Sequence, residues 1–156
     1  MTREEEEDVA VYHLDEAVVF DRLGQGEYVF LSDADVEPDP GAAPTCGVFG
    51  WPAAGAHQID RVLHGKALVM RLGRLPPPPG SRATDIYLEW PNVDDVPELG
   101  GISGSPIWSI SEASGIWHPS KEIKLMGVQH TVKRDAWIKG TTWDVVDRLI
   151  DKISAS

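Results

Sequence analysis

Ser103 stands in the middle of Gly100-Gly101-Ile102-Ser103-Gly104-Ser105-Pro106-Ile107-Trp108, a glycine-rich turn followed at once by an apolar run. A serine hydroxyl is a weak nucleophile, and an enzyme that uses one must aim backbone N–H groups at the oxyanion formed on attack. Gly101, two residues earlier, brings the backbone to a substrate carbonyl without a Cβ in the way. Its N–H and that of Ser103 can then form an oxyanion hole. Gly104 and Pro106 set the turn, and Ile107, Trp108 and Ile110 read as the strand that leaves it. The same Gly, Ser and Pro residues also make an ordinary surface turn, and that reading stays open. A Gly-x-Ser-x-Gly elbow describes the stretch less well, because position 105 is Ser and Pro106 blocks the helix that should follow.

The elements that must hold this turn are read from periodicity and breakers. Residues 8–14 and 17–20 run apolar or alternate, Gly24 and Gly26 turn the chain, and Tyr28-Val29-Phe30-Leu31 reads as another short strand. Residues 32–45, with Pro38, Pro40, Gly41 and Pro44, are the expected linker. Val48–Trp51, Lys66–Leu72, Asp85–Trp90, Pro106–Ile110 and Ile123–Val132 are predicted strands on their β-branched and aromatic content. Pro76 to Pro79 make a stiff polyproline connection. His57 and His64 flank a segment that reads as loop and turn, and His118 precedes Pro119 in a hairpin loop. The chain closes on a helix capped by Thr141 or Thr142, with Trp143, Val146, Leu149, Ile150 and Ile153 on one face.

Composition sets the class. A chain of 156 residues, 42% of them apolar, is long enough for one domain with a proper core, and its six tryptophans supply bulky core and groove material. A net charge of −11 argues against nucleic acid or an anionic membrane as partner, because phosphates are repelled. There is no apolar run of membrane-spanning length, and the acidic start is unlike a signal peptide. The single cysteine, Cys46, excludes an internal disulfide and reads as a core or turn residue; a reduced, cytoplasmic location is expected. No metal-ligand spacing, phosphate loop or internal repeat is visible, and no metal or cofactor is expected.

The Ser103 stretch resembles the nucleophile loop of trypsin-like (chymotrypsin-fold) serine proteases, Gly-x-Ser-Gly-Gly-Pro, with Ser105 in place of the last glycine. Asp8-Val9-Ala10-Val11-Tyr12-His13-Leu14 looks like the family's Asp-Ile-Ala-x-x-x-Leu strand, which begins with the catalytic aspartate. Gly47-Val48-Phe49-Gly50-Trp51-Pro52 is similar to the Val-x-Gly-Tyr-Pro stretch that opens the second barrel in bacterial members. Leu125-Met126-Gly127-Val128-Gln129-His130-Thr131 resembles the Leu-Val-Gly-Ile strand, whose continuation pairs with substrate backbone. The likeness covers nearly the whole chain. It implies an all-β fold, a trypsin-like β-barrel with a C-terminal helix. Residues 1–45 would be a partial first barrel with the Asp strand and linker, and 46–156 a nearly complete second barrel with the nucleophile loop and the helix.

The same resemblance implies roles. Ser103 would be the nucleophile, Asp8 the acid that orients a histidine, and Gly101 with Ser103 the oxyanion donors. Gln129, His130 and Thr131 would bind substrate, and Pro97, six residues before Ser103, would lie at the bottom of the specificity pocket. Proline offers no carboxylate to pair with Arg or Lys. Ile102 replaces the aspartate that many activated members place before the serine, so activation by an ion pair from a new N-terminus is not expected.

The pattern departs from the family at the histidine, which should lie upstream of the aspartate. Seven residues precede Asp8, and none is histidine. His13 is roughly 16 Å along an extended strand from Asp8, too far to pair with it. Of the remaining four, His130 alone is a candidate for reaching Ser103; the family usually has Ser or another small residue at its position. Two functions follow. One is a serine endopeptidase domain lacking its histidine-bearing N-terminal part, which hydrolyses peptide bonds only when completed by it. The other is a catalytically inactive protease-like module that binds peptide by strand addition near Gln129–Thr131. Both take a peptide or protein as partner. Open strand edges around Val9, Val11, Val18 and Phe20 add the expectation of a homodimer or of a missing N-terminal partner segment.

Overall fold

A computed structural model describes residues 2–4, 9–11, 32–37, 45–59, 62–92, 98–111 and 123–154. In chain order the elements are β1 (Thr2–Glu4), β2 (Val9–Val11), β3 (Thr45–Gly50), β4 (His57–Ile59), β5 (Val62–His64), β6 (Leu68–Leu75), β7 (Asp85–Glu89), β8 (Pro106–Ile110), β9 (Ile123–Lys133), β10 (Trp137–Thr142) and α1 (Trp143–Ser154). Six of the strands close into an antiparallel barrel in the order β3-β6-β7-β10-β9-β8, with β8 returning to pair with β3. The return of β8 past β6 and β7 to the side of β3 is a Greek-key connection.

The barrel forms because apolar side chains recur with the two-residue period of a strand and all point one way. Cys46 and Val48 on β3, Met70 and Leu72 on β6, Ile86 and Leu88 on β7, Ile107 on β8, Met126 on β9 and Ile138 on β10 form one buried cluster, joined by Leu99 and Ile102 from the turn before β8. Cys46 is fully buried, and burial pushes its thiol up to about 11 although Arg74 pulls the other way. It is a core residue, as its sequence context implies, and an inert one.

The chain outside the barrel braces it. Ser32 and Asp35 form a capping box, and the following residues lie along the start of β9: Val36 bridges Leu125 in parallel, and the Glu37 N–H donates to the Leu125 carbonyl at 2.8 Å. The paired strands β1 and β2 pack against α1. The helix starts where Thr142, whose N–H donates to the Thr84 carbonyl at 2.9 Å, turns its hydroxyl to the Asp144 carboxylate.

The described residues are mostly β, with a closed barrel and a C-terminal helix, as expected. Strand β8 has the expected bounds, whereas β3 starts at Thr45 and β6 runs to Leu75. Three features differ from expectation. Trp137–Thr142 is a barrel strand that sequence reasoning did not identify, and the segment flanked by His57 and His64 is a hairpin rather than a loop. On α1 the buried residues are Val145, Val146 and Leu149, while Ile150 is 41% exposed, so the apolar face is turned by about one residue from the expected one. The expected strands at 17–20 and 28–31 lie outside the described residues, as do His13 and His118.

Candidate functional site

The turn that enters β8 has both spent and unspent backbone donors. The Ile102 N–H donates to the Leu99 carbonyl at 3.3 Å, Ser105 to Ile102 at 2.9 Å, and Gly104 to Gln129 at 2.8 Å. Among the described residues the N–H groups of Gly101 and Ser103, the other two in the series, take no backbone partner. That is the pattern an oxyanion hole requires, since a donor already used in a turn has nothing left for a substrate.

Glycine is needed at two points to make this backbone. Gly101 and Gly104 both have φ of +91°, the left-handed region that a Cβ disfavours. At Gly101 a Cβ would also lie 3.0 Å from the backbone nitrogen and the Cβ of Ala53, whose N–H donates to the Gly100 carbonyl at 2.7 Å. Ile102 points the opposite way and is 1% exposed, pinning the turn to the core while Ser103 stays at the surface.

Strand β9 supplies the other side. The Gln129 carbonyl accepts from Gly104, its N–H donates to the Ser105 carbonyl at 2.9 Å, and the His130 carbonyl accepts the Ser103 hydroxyl at 3.2 Å. The structure thus brings together Gly101, Ser103, Gln129 and His130. His130 meets Ser103 through its carbonyl, whereas its ring nitrogens face the hydroxyls of Thr131 at 2.8 Å and Thr141 at 3.4 Å. Asp8 and Pro97 lie outside the described residues.

A cleft of about 420 Å³ opens beside Ser103, between Trp90, Glu98, Gly101, Val132 and Arg134. Trp90 follows β7, Val132 ends the inner run of β9, and Arg134 begins the β9–β10 turn, so three distant segments meet there. Sequence reasoning had no signal for Trp90, Val132 or Arg134. Along β9, pairing with β8 stops at Val128, where Pro106 is the last partner. Beyond Gln129 that edge has no strand partner among the described residues. Gln129 itself is fully buried, and among the described residues neither its amide nitrogen nor its oxygen has a hydrogen-bond partner. An unsatisfied buried amide costs roughly 1–3 kcal/mol, which makes Gln129 an unusual choice for a purely structural position.

A second cleft, of about 450 Å³, lies on β9 around the His130 ring and Thr131 and extends to Asp85, Tyr87, Trp137 and Lys139. Its charges are matched. Lys139 Nζ lies 2.9 Å from Asp85 Oδ1, an ion pair without hydrogen-bond alignment, and the Arg82 N–H donates to the other oxygen at 3.0 Å. Burial alone would raise the Asp85 carboxyl, but Lys139 and the Arg82 N–H together hold it below its ordinary value. The Lys139 ammonium also sits 5.7 Å from the centre of the Tyr87 ring, which meets Trp137 edge-on.

No protein-family model matches the chain, and no curated protein matches it, so the site stands on its own geometry.

Proposed function

We propose that this chain carries the serine side of a trypsin-like serine endopeptidase site. The observation that carries the reading is the pair of unspent N–H groups at Gly101 and Ser103, in a turn where the donors of Ile102, Gly104 and Ser105 are used, with the serine hydroxyl exposed at the lip of a cleft. The four family-like segments, in their order along the chain, and a closed barrel followed by a C-terminal helix support it.

In this reading a peptide lies along the free edge of β9 beyond Gln129, adding a strand to the sheet. The side chain before the scissile bond enters the cleft between Trp90, Glu98 and Arg134. The Ser103 oxygen forms a bond to the peptide carbonyl carbon while an imidazole takes its proton. The carbonyl π electrons move to oxygen, and the N–H groups of Gly101 and Ser103 receive that charge. Collapse expels the amine, which takes the proton back, and leaves an acyl ester on Ser103 for water to hydrolyse. The imidazole has to come from beyond the described residues, in this chain or a partner, because Ser103 donates to a carbonyl rather than to a histidine ring. That same bond favours the second reading, a peptide-binding module that does not cut.

Acyl capture tests the choice. The full chain is treated with p-nitrophenyl acetate in imidazole buffer, which supplies a diffusible base, and the product is mapped by mass spectrometry. We expect one acetyl group on Ser103, retained because deacylation is slow and absent from Ser103→Ala. Labelling confined to lysines, equal in both proteins, overturns the nucleophile assignment and leaves the binding module.

A further inference from the structure

The β4–β5 hairpin carries two residues of metal-ligand chemistry that the Ser103 site does not use. His57 and His64 are direct cross-strand partners at the open end of a two-stranded antiparallel sheet separate from the barrel. Both side chains are exposed, and their rings lie 5.5 Å apart between centroids with planes 17° from parallel. Two imidazoles on one tetrahedral cation, at metal–nitrogen distances of about 2.0–2.1 Å and with each ring centre ~1.1 Å beyond its nitrogen, have centres roughly 5 Å apart. The strand register therefore brings the two rings to about the spacing of a chelate, and turning them about their side-chain bonds would aim a nitrogen of each at one ion.

We propose that His57 and His64 form an open two-imidazole site for a divalent cation from the nickel–copper–zinc end of the first transition row. Imidazole is a ligand suited to these ions, whereas calcium and magnesium demand oxygen. No group of three or more His, Cys, Asp or Glu side chains among the described residues makes a closed metal site, so water fills the remaining positions and the ion exchanges with solution. The chain's net charge of −11 concentrates cations near its surface.

Such an ion would act as a clamp. A two-stranded hairpin is marginal by itself, and a bond across its base removes the motion that frays it. The chain neighbours of the two histidines, Ala56 and Gly65, line a cleft of about 420 Å³ with Trp51, Ala53 and Gly101. Ala53 is bonded to the turn through Gly100, so the clamp fixes one wall of the space beside Gly101. The site does not depend on Ser103 being a nucleophile.

Calorimetric titration of the full chain with Zn²⁺ and, separately, Cu²⁺ tests it. We expect one ion per chain with roughly micromolar half-saturation, Cu²⁺ tighter than Zn²⁺. His57→Gln and His64→Gln should each weaken binding at least about tenfold, because the second bond of a chelate forms at high effective concentration. The double variant, which keeps neither imidazole, should bind more weakly still. Both positions are exposed, so circular dichroism of the variants should match the parent protein. The Cu²⁺ spin-resonance spectrum of the unaltered protein, which needs no variant, should show two nitrogen donors. Affinity unchanged in both variants, fewer than two nitrogens in the spectrum, or no saturable binding overturns the proposal.

Discussion

Two clefts share strand β9, and they are built in opposite ways. The one beside Ser103 is walled by a turn whose donors at Gly101 and Ser103 take no backbone partner among the described residues, and that turn is bonded to Gln129, whose buried amide has no partner among them either. In the other, the charged groups answer each other: Asp85 holds Lys139, the Arg82 N–H holds Asp85, and Tyr87 faces the ammonium. Unmatched polar groups cost stability and gain value only when a ligand arrives, whereas matched ones hold the fold. Substitutions should therefore separate the two. At Ser103 a substitution should change chemistry and leave melting alone; at Asp85 it should do the reverse.

The largest effect belongs to Ser103→Ala. Acyl transfer should fall to the level of imidazole buffer alone. Because the side chain is exposed, unfolding free energy measured in urea should stay within about 0.5 kcal/mol of the parent. A large stability loss would mean that the hydrogen bond from Ser103 to the His130 carbonyl is structural, and the contrast between the clefts would fail.

Asp85→Asn is next. The Asp85 side chain is 3% exposed and that of Lys139 21%, so the substitution strands an ammonium that water reaches only in part. Breaking such a pair from one side should cost about 3 kcal/mol in urea unfolding, with acylation of Ser103 unchanged. Lost acylation with intact stability would show that the second cleft belongs to the reaction.

Gly101→Ala sharpens the contrast from the other side. The φ of +91° and the approach to Ala53 at 3.0 Å leave no relaxed place for a methyl group. The turn must shift and carry its N–H away from the developing oxyanion. Loss of one such donor costs on the order of 10²-fold in rate, which the time course of acetylation would show. A rate unchanged within twofold would remove Gly101 from the oxyanion hole.

What the sequence made legible follows from how local each signal is. Strand β8 and the turn before it were readable because Gly104, Pro106 and the bulky apolar Ile107, Trp108 and Ile110 act within a few residues of one another. Strand β10 was hidden because Gly140 interrupts its alternation, its register slips between Lys139 and Gly140, and the threonines at its end read equally well as a helix cap. The β4–β5 hairpin has strands of three residues with no apolar alternation to announce them. The cleft beside Ser103 was legible only in the segment that includes the serine. Trp90 and Arg134 join it through barrel closure, which no short-range pattern records.

The smallest expected effect compares two carboxylates that respond to acid in opposite directions. Asp85 is held below its ordinary value: burial raises it, but Lys139 and the Arg82 N–H outweigh that. Its stabilisation is complete above the ordinary carboxylate range and is lost as pH falls through the depressed value. Asp147 on α1 is raised, first by burial and then, against a hydrogen bond from Trp143, by the charges of Asp33, Asp151 and Asp144. A raised group favours the folded state when protonated, and that contribution disappears as pH rises through its elevated value, so at neutral pH the ionised form opposes folding. Asp147→Asn should therefore stabilise the protein at neutral pH and do nothing in strong acid, while the loss from Asp85→Asn should shrink as acid is added. Asp147 is exposed and its charge well screened, which limits the gain to about 0.3 kcal/mol. Urea midpoints at neutral and acid pH decide it: a neutral-pH midpoint for Asp147→Asn below that of the parent would show that the carboxylate is held by a partner and not strained by its neighbours.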